Sequence, residues 1–146
     1  MTTPFQFSRL HDRARDLDKR IALPEGEDPR TIKAAAWLVE HRVVKPILIG
    51  RESVIRSRAE EAGQVLPHSV PIVDPEQSER RQAYAQTLFQ KRKHKGMTYE
   101  GALHTSGDVL YFGDLMVATG AAAGCVAGAA QPSPAVVRAA NHVLGV

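Results

Sequence analysis

Cysteine, long apolar runs and blocks of like charge are scarce in this sequence. Cys125 is the single cysteine, which excludes an intramolecular disulfide and suits a reducing cytoplasm. No apolar run approaches the length of a membrane span, and the N-terminal stretch MTTPFQFSRLHDRARDLDKR lacks the apolar core of a signal peptide. We therefore expect a cytoplasmic protein that does not act in a membrane.

Positive charge is spread thinly along the 146 residues. The formal net charge is +3, but Lys and Arg alternate with Asp and Glu, and only residues 91–95 form a dense basic run. A basic surface of the kind that binds nucleic acid is therefore not expected. One local site for an anionic ligand remains compatible with this pattern.

The common cofactor and metal motifs are missing as well. The sequence contains no Walker loop, no GxGxxG and no HxxxH, so we expect neither a metal site nor a cofactor. We interpret the histidines as surface or packing residues, with His94 of the basic run the best suited to an anion site. Cys125 lies in a predicted strand, which favours a small buried side chain over a nucleophile. We interpret Glu25 and Glu27 as solvated loop carboxylates.

Apolar patterning predicts alternating strands and helices. Strands are predicted at 20–23, 43–49, 70–73 and 125–127, and helices at 7–17, 30–41, 52–62, 78–93, 98–103, 109–119 and from residue 134 onward. Asp28, Ser78, Thr98 and Asp108 are predicted helix caps, and Gly63 is a predicted helix stop. Rounds of strand then helix with short connections indicate a three-layer α/β fold with a mainly parallel sheet.

Residues 124–138, GCVAGAAQPSPAVVR, combine a short strand, a turn of small residues and a helix start. Ser133 is predicted to cap this helix. The N–H groups of such a turn, at the positive end of a helix dipole, bind phosphate readily. Gly128 allows close approach to the backbone, and Arg138 could add a charge. An anion site and an ordinary structural turn both fit these residues.

The basic run KRKHKGMT, residues 91–98, likewise has a structural and a ligand-binding interpretation. Cations at the C-terminus of a helix offset its negative dipole end, which accounts for part of the run. Repulsion among the remaining cations favours a phosphate-bearing ligand beside them.

Several blocks of the sequence, in matching order and spacing, resemble the N-terminal part of phosphate acetyltransferases in the phosphate acetyl/butyryl transferase family. These blocks are IALPEGEDPRTIKAAAWL (21–38), KPILIG (45–50), DPEQS (74–78), RKHKGMTYEGA (92–102) and YFGDLMVATGAAAGCVAGA (111–129). The resemblance implies a fold like that of isocitrate and isopropylmalate dehydrogenases. Residues 1–146 would form its first α/β domain, with the C-terminal domain absent.

The resemblance also implies acetyl transfer between acetyl phosphate and coenzyme A (CoA), with CoA as a substrate and no separate cofactor. Arg92 looks like the arginine that contacts a CoA phosphate, and Arg138 like the catalytic arginine beside the acyl phosphate. Gly128 and Ser133 are expected to bind substrate with them. The family's general base, an aspartate, belongs to the C-terminal half. We also expect a homodimer.

The chain departs from the family pattern in the turn before Arg138. Ala127 stands where the family has serine, Gln131 where it has histidine and Ala135 where it has aspartate. Such polar neighbours hold catalytic groups in position. A non-catalytic binding or interaction module derived from the same family is therefore the alternative hypothesis.

Overall fold

The structure of the protein is a computed structural model, which describes residues 4–146. The helices are α1 (Pro4–Leu17), α2 (Pro29–Glu40), α3 (Glu52–Glu61), α4 (Arg81–Arg92), α5 (Tyr99–Thr105), α6 (Val109–Ala118) and α7 (Ser133–Leu144). The strands are β1 (Arg20–Leu23), β2 (Lys45–Ile49), β3 (Ile72–Val73) and β4 (Gly124–Cys125). A 3₁₀ turn, Lys93–Lys95, extends α4.

The four strands form one parallel sheet in the order β3-β2-β1-β4. The chain moves outward from β1 through β2 to β3. It then crosses back and adds β4 to the other side of β1, where Ile21 lies opposite Gly124. The strand order therefore reverses between β1 and β4. None of the helices in the described range is long and apolar enough to span a membrane.

Helices cover both faces of the sheet, which gives the three layers that the sequence predicts. Successive strand residues point to opposite faces, so Ala22 and Leu23 enter different cores. One core contains Ala22, Ile47, Ile49, Tyr84, Leu88, Phe112, Leu115 and Val143, from β1, β2, α4, α6 and α7. The other contains Leu23, Leu48, Ile32, Ala35, Ile55 and Ala59, from β1, β2, α2 and α3. Burial of these apolar surfaces supplies most of the stabilisation.

Most predicted helix ends are confirmed. Asp28 accepts the N–H of Arg30, Thr98 accepts that of Gly101, and Asp108 accepts those of Leu110 and Tyr111. Gly63 follows α3 with a φ of +62°, the left-handed conformation that favours glycine at a helix end. The parallel three-layer α/β arrangement is confirmed, whereas the specific likeness to the dehydrogenase fold stays a prediction.

Two predicted caps are wrong. Ser133 is the first residue of α7, and the cap position belongs to Pro132, whose extended backbone (φ −65°, ψ 144°) precedes the helix without a side-chain cap. Pro132 offers its carbonyl to the N–H of Ala135, so the first turn has already begun at Ser133. Ser78 accepts the N–H of Arg80, but this bond belongs to the turn before α4, which begins at Arg81.

Several predicted boundaries also move. The strand predicted at 125–127 is Gly124–Cys125, the one predicted at 43–49 is Lys45–Ile49, and the one predicted at 70–73 is Ile72–Val73. The first helix begins at Pro4 rather than at residue 7. Strand ends depend on the pairing of neighbouring strands, which apolar runs alone do not specify.

Candidate functional site

The carboxyl ends of β1 and β4 meet where the strand order reverses. In open parallel sheets, ligands bind in the crevice at this point. Here a pocket of about 310 Å³ opens beside it. Glu25, Glu27 and Asp28 line the pocket from the β1–α2 loop, and Ala130 and Gln131 line it from the segment that follows β4.

The turn that follows β4 is organised around the carboxylate of Glu25. Its Oε2 accepts the backbone N–H groups of Gly128 and Ala129 at 2.9 and 2.8 Å, and its Oε1 accepts those of Ala130 and Gln131 at 2.9 and 2.6 Å. Glu25 is only 7% exposed. Burial acts to raise its pKa, but the four N–H bonds outweigh this effect and lower the pKa of Glu25.

The hydrogen bonds of Glu25 change the interpretation of the β1–α2 loop and of the turn that follows β4. The N–H groups of the turn do converge on an anion, as the sequence suggests, but that anion is a carboxylate of the same chain. The N–H of Gly128 is thus donated to Glu25. Our interpretation of Glu25 as a solvated loop residue is wrong, because four backbone donors compensate for its burial.

Other charges around this crevice are also paired within the protein. Both side-chain oxygens of Glu27 accept hydrogen bonds from the guanidinium of Arg51, at 2.9 and 3.0 Å. Arg58 donates to the carbonyl of Glu27. Arg30 bonds both oxygens of Asp28 at 3.0 and 2.8 Å, and it also donates to the carbonyl of Ala129. These bonds tie the β1–α2 loop to α3 and to the turn before α7.

A second group of polar residues lies where α4, α6 and α7 pack together. The hydroxyl of Tyr111 on α6 and Nδ1 of His142 on α7 form a partly buried hydrogen bond of 2.8 Å. Arg138 precedes His142 by four residues, which places both on one face of α7. Arg92 ends α4 and lines a surface pocket of about 370 Å³ together with Lys91, His142 and Asn141.

The two arginines act electrostatically on the Tyr111–His142 pair. Burial lowers the pKa of His142, and the positive charges of Arg92 and Arg138 lower it further. Burial raises the pKa of Tyr111, against the opposing effect of the same two arginines. Within residues 4–146, neither Arg92 nor Arg138 forms an ion pair with a carboxylate. The fold therefore places two guanidinium groups that form no ion pair among the described residues near a histidine whose pKa is lowered.

Cys125 lies in β4, beside Asp114 of α6. Burial, together with the neighbouring carboxyl of Asp114, raises the pKa of Cys125 from 9.0 to about 12. Burial also raises the pKa of Asp114. A thiol with so high a pKa is a poor nucleophile, which agrees with the prediction that Cys125 is not a nucleophile, although its side chain is half-buried rather than buried.

The four predicted site residues lie at the end of α4, in the turn before α7 and on α7 itself. Arg92 and Arg138 share the α4–α6–α7 face through Tyr111 and His142, whereas Gly128 is bonded to Glu25 at the crevice. Ser133 is exposed at the start of α7. Sequence reasoning did not identify Tyr111, His142 or Glu25 as members of these clusters. For His142 the available signal was its four-residue spacing from Arg138.

Among the described residues there is no group of three or more His, Cys, Asp or Glu side chains that could hold a metal ion. The α4–α6–α7 face presents guanidinium and imidazole groups, whose chemistry suits the binding of an anion. Guanidinium groups pair with phosphate through two parallel hydrogen bonds.

Comparison with known proteins identifies one family. The sequence profile described as phosphate acetyl/butaryl transferase matches residues 5–146. A phosphate acetyltransferase of Acetivibrio thermocellus is 42% identical over 136 residues, which are 93% of this chain and 40% of that protein. The phosphate acetyltransferase of Escherichia coli is 37% identical over 130 residues, which are 89% of this chain and 18% of that protein.

Solved structures agree with the sequence comparison. A phosphotransacetylase from Streptococcus pyogenes superimposes with a TM-score of 0.90 at 29% identity, covering 98% of this chain and 43% of that chain. The EutD phosphotransacetylase from Staphylococcus aureus gives a TM-score of 0.84 at 33% identity, covering 93% of this chain and 41% of that chain. The chain thus spans about two fifths of these two structures.

Proposed function

The chain belongs to the phosphate acetyl/butaryl transferase family, and from this premise we propose that it supplies one domain of an enzyme that moves an acetyl group between acetyl phosphate and CoA. The reaction is acetyl-CoA + phosphate = CoA + acetyl phosphate. The observation that carries this proposal is the convergence of Arg92 and Arg138 on the Tyr111–His142 pair, without a carboxylate partner among residues 4–146.

The proposed roles of the residues follow from their charge and position. Arg92 binds a phosphate of CoA at the end of α4, and Arg138 binds the phosphate oxygens of acetyl phosphate on α7. In the direction that forms acetyl-CoA, the CoA sulfur forms a bond to the acetyl carbon of acetyl phosphate, and the bond between that carbon and the phosphate oxygen breaks. Arg138 stabilises the charge that gathers on the departing phosphate. We propose that the thiol proton passes to an aspartate that lies outside residues 1–146.

Gly128 is not placed to bind substrate through its backbone N–H group in the way that the sequence suggests, and Ser133 does not cap α7. Gly128 gives its N–H to Glu25, so we propose that it shapes the turn before α7. Its positive φ of +112° suits glycine in such a turn. Ser133 is exposed on the first turn of α7, and we propose that it reaches substrate only through its hydroxyl.

We further propose that residues 1–146 act as the first of two α/β domains, in a cytoplasmic homodimer, with CoA as a substrate and no separate cofactor. The single cysteine supports a reducing compartment. Sedimentation equilibrium of the purified chain tests the dimer, which should give twice the 15.9 kDa mass of the chain.

The experiment that tests the function separates binding from turnover. The purified chain is titrated with CoA and with acetyl phosphate, and acetyl-CoA formation is then measured with and without the C-terminal part of the Acetivibrio thermocellus relative. We expect CoA binding by the chain alone and acetyl-CoA formation only in the mixture. Arg92→Gln and Arg138→Gln should each reduce binding or turnover at least about tenfold, the loss of one charge-assisted contact.

Arg13→Gln is the matched control, because Arg13 is an exposed arginine on α1, remote from α4 and α7 in the sequence. It should leave both measurements unchanged. Full turnover by the chain alone would contradict the need for a second domain. Failure to bind either substrate would contradict the enzyme proposal.

That last outcome would support the second candidate, a non-catalytic binding or interaction module. The observation that favours this candidate is the internal use of the turn: all four N–H groups of residues 128–131 are donated to Glu25. The replacement of polar family residues by Ala127, Gln131 and Ala135 points the same way.

A further inference from the structure

His142 occupies a position from which it can respond to an anion at the two arginines. It follows Arg138 by one helical turn, it lines the same surface pocket as Arg92, and its Nδ1 is hydrogen-bonded to the hydroxyl of Tyr111. The imidazole therefore shares a pocket with Arg92 and a helix face with Arg138, the two arginines that the proposed function assigns to phosphate. Its side chain is partly buried, so changes in nearby charge are incompletely screened by water.

The charged and titratable groups that face His142 come from each element packed against it. These groups are Lys91 and Arg92 from α4, Tyr111 from α6 and Arg138 from α7. Lys91, Arg92 and Arg138 are cationic, and the partly buried hydroxyl of Tyr111, whose pKa is raised, keeps its proton at neutral pH. With the site empty, a positive charge on the imidazole would be repelled by these neighbours.

A bound phosphate reverses this balance. A group with two negative charges beside Arg92 and Arg138 neutralises the field that opposes a proton on His142. The hydrogen bond to Tyr111 survives protonation, since a hydroxyl can donate to a neutral ring nitrogen and can accept from a protonated one. The cost of charging the imidazole therefore falls when the site fills, and the protonated ring adds a donor for the anion.

We propose that His142 is a proton-linked member of the phosphate site formed by Arg92 and Arg138, so that binding of a phosphate or sulfate group is accompanied by uptake of one proton from solvent. This inference rests on the proposed function for the location of the phosphate, but it adds a residue and a pH dependence of its own. Because binding takes up a proton, the affinity for the anion rises as the pH falls towards the range in which free His142 titrates. One proton changes affinity by at most about tenfold per pH unit.

Sulfate is the first probe, because it does not titrate in this pH range as phosphate monoesters do. The imidazole signals of the purified chain are followed by NMR from pH 5 to 8, with and without sulfate, and CoA is then used in its place. We expect His142 to titrate at higher pH in the presence of either ligand, and sulfate affinity to rise at least about threefold from pH 7.5 to 6.0.

Two variants identify the residue responsible. His142→Gln keeps a side-chain acceptor for the Tyr111 hydroxyl but cannot be protonated, and it should bind sulfate with little dependence on pH. His68→Gln, at an exposed histidine between α3 and β3, is the control and should keep the wild-type pH dependence. If His142→Gln fails to fold, the imidazole titration of the unaltered chain still decides the matter.

The outcomes for the two proposals are distinguishable. Binding of CoA with a His142 titration unaffected by the ligand would overturn this inference and leave the proposed function intact. An unchanged pH dependence in His142→Gln would do the same. Absence of both CoA and sulfate binding at any pH would overturn both.

Discussion

Gln131 donates its backbone N–H to the carboxylate of Glu25 across 2.6 Å, joining residues that lie 106 positions apart in the chain. Three neighbouring N–H groups share the same carboxylate. Because β1 precedes Glu25 and α7 follows Gln131, this contact sets the distance between the end of the first strand and the start of the last helix. Arg138 is carried by that helix, so its position depends on Glu25.

Replacing Glu25 by Gln should lower the free energy of unfolding by about 2–3 kcal/mol. The amide keeps the shape of the side chain, but its NH₂ group turns a donor towards backbone donors, and the hydrogen bonds to a charged acceptor are lost. Urea unfolding of the two proteins measures the difference. Glu27→Gln, on the same loop but paired with the exposed Arg51, should cost less than about 1 kcal/mol. Equal losses in the two variants would contradict an anchoring role for Glu25.

Stability should fall with acid below about pH 4. The side-chain hydrogen bond to Arg30 lowers the pKa of Asp28 from 3.8 to about 2, against the raising effect of burial. A carboxyl whose pKa is lower in the folded state contributes stability that is present above the unfolded pKa and is lost as the pH falls through the folded one. The contribution of Asp28 is therefore lost between about pH 4 and about pH 2.

Asp28→Asn isolates this contribution, because Asn also caps helices well but cannot form the ion pair with Arg30. Unfolding free energies measured from pH 5 to 2 should decline less steeply in the variant. The pKa values of Glu25 and Glu27 are also lowered, so part of the pH dependence of the unfolding free energy remains in both proteins. A variant with the same slope as the unaltered chain would show that Asp28 has no such linkage.

Cys125 should react slowly with a disulfide reagent such as DTNB. With a pKa of about 12 instead of 9.0, its thiolate fraction at pH 8 is about a thousandth of that of an ordinary thiol, so we expect a rate at least about 100-fold below that of glutathione. Asp114→Asn removes the neighbouring carboxylate and should increase the rate. A rate close to that of glutathione would be the contrary result.

Gly113→Ala should destabilise the protein by about 1–3 kcal/mol, although alanine is the better helix former by about 1 kcal/mol. A Cβ at this position would lie 2.8 Å from Cγ of Pro24 and 3.0 Å from Sγ of Cys125. The added methyl group must therefore push α6 away from β1 and β4. Thermal unfolding followed by circular dichroism measures the effect, and an increase in melting temperature would refute the close approach.

The fold was largely predictable because its signals are local. Capping side chains such as Asp28, Thr98 and Asp108 act within a single helical turn, and the apolar runs of β1 and β2 bury both faces of the sheet. The failures at Ser78 and Ser133 have a local cause as well. Ser78 lies two positions before the true cap, Arg80, and Ser133 lies one position after the true cap, Pro132. Backbone conformation rather than residue type decided which residue took the cap position.

The clusters were only half predictable. Arg92 and Arg138 were identified by their motifs, but their approach to Tyr111 and His142 depends on how three helices pack. Glu25 could not be connected with residues 128–131, because an isolated carboxylate in a loop carries no information about a turn that lies 103–106 positions away. The sequence indicated that the turn could bind an anion, but only the tertiary structure shows that this anion is the carboxylate of Glu25.

The sheet order also imposes a sequence of events on folding. β1 lies inside the sheet, yet its partner β4 comes from the last quarter of the chain, whereas β2 and β3 follow soon after it. A nascent chain that has emerged only as far as α6 therefore has one edge of β1 open and Glu25 without its four donors. Pairing over such a separation is slow, and an open strand edge can pair with other chains. The segment that pairs with the open edge of β1 and supplies the donors for Glu25 thus leaves the ribosome after β1, β2 and β3.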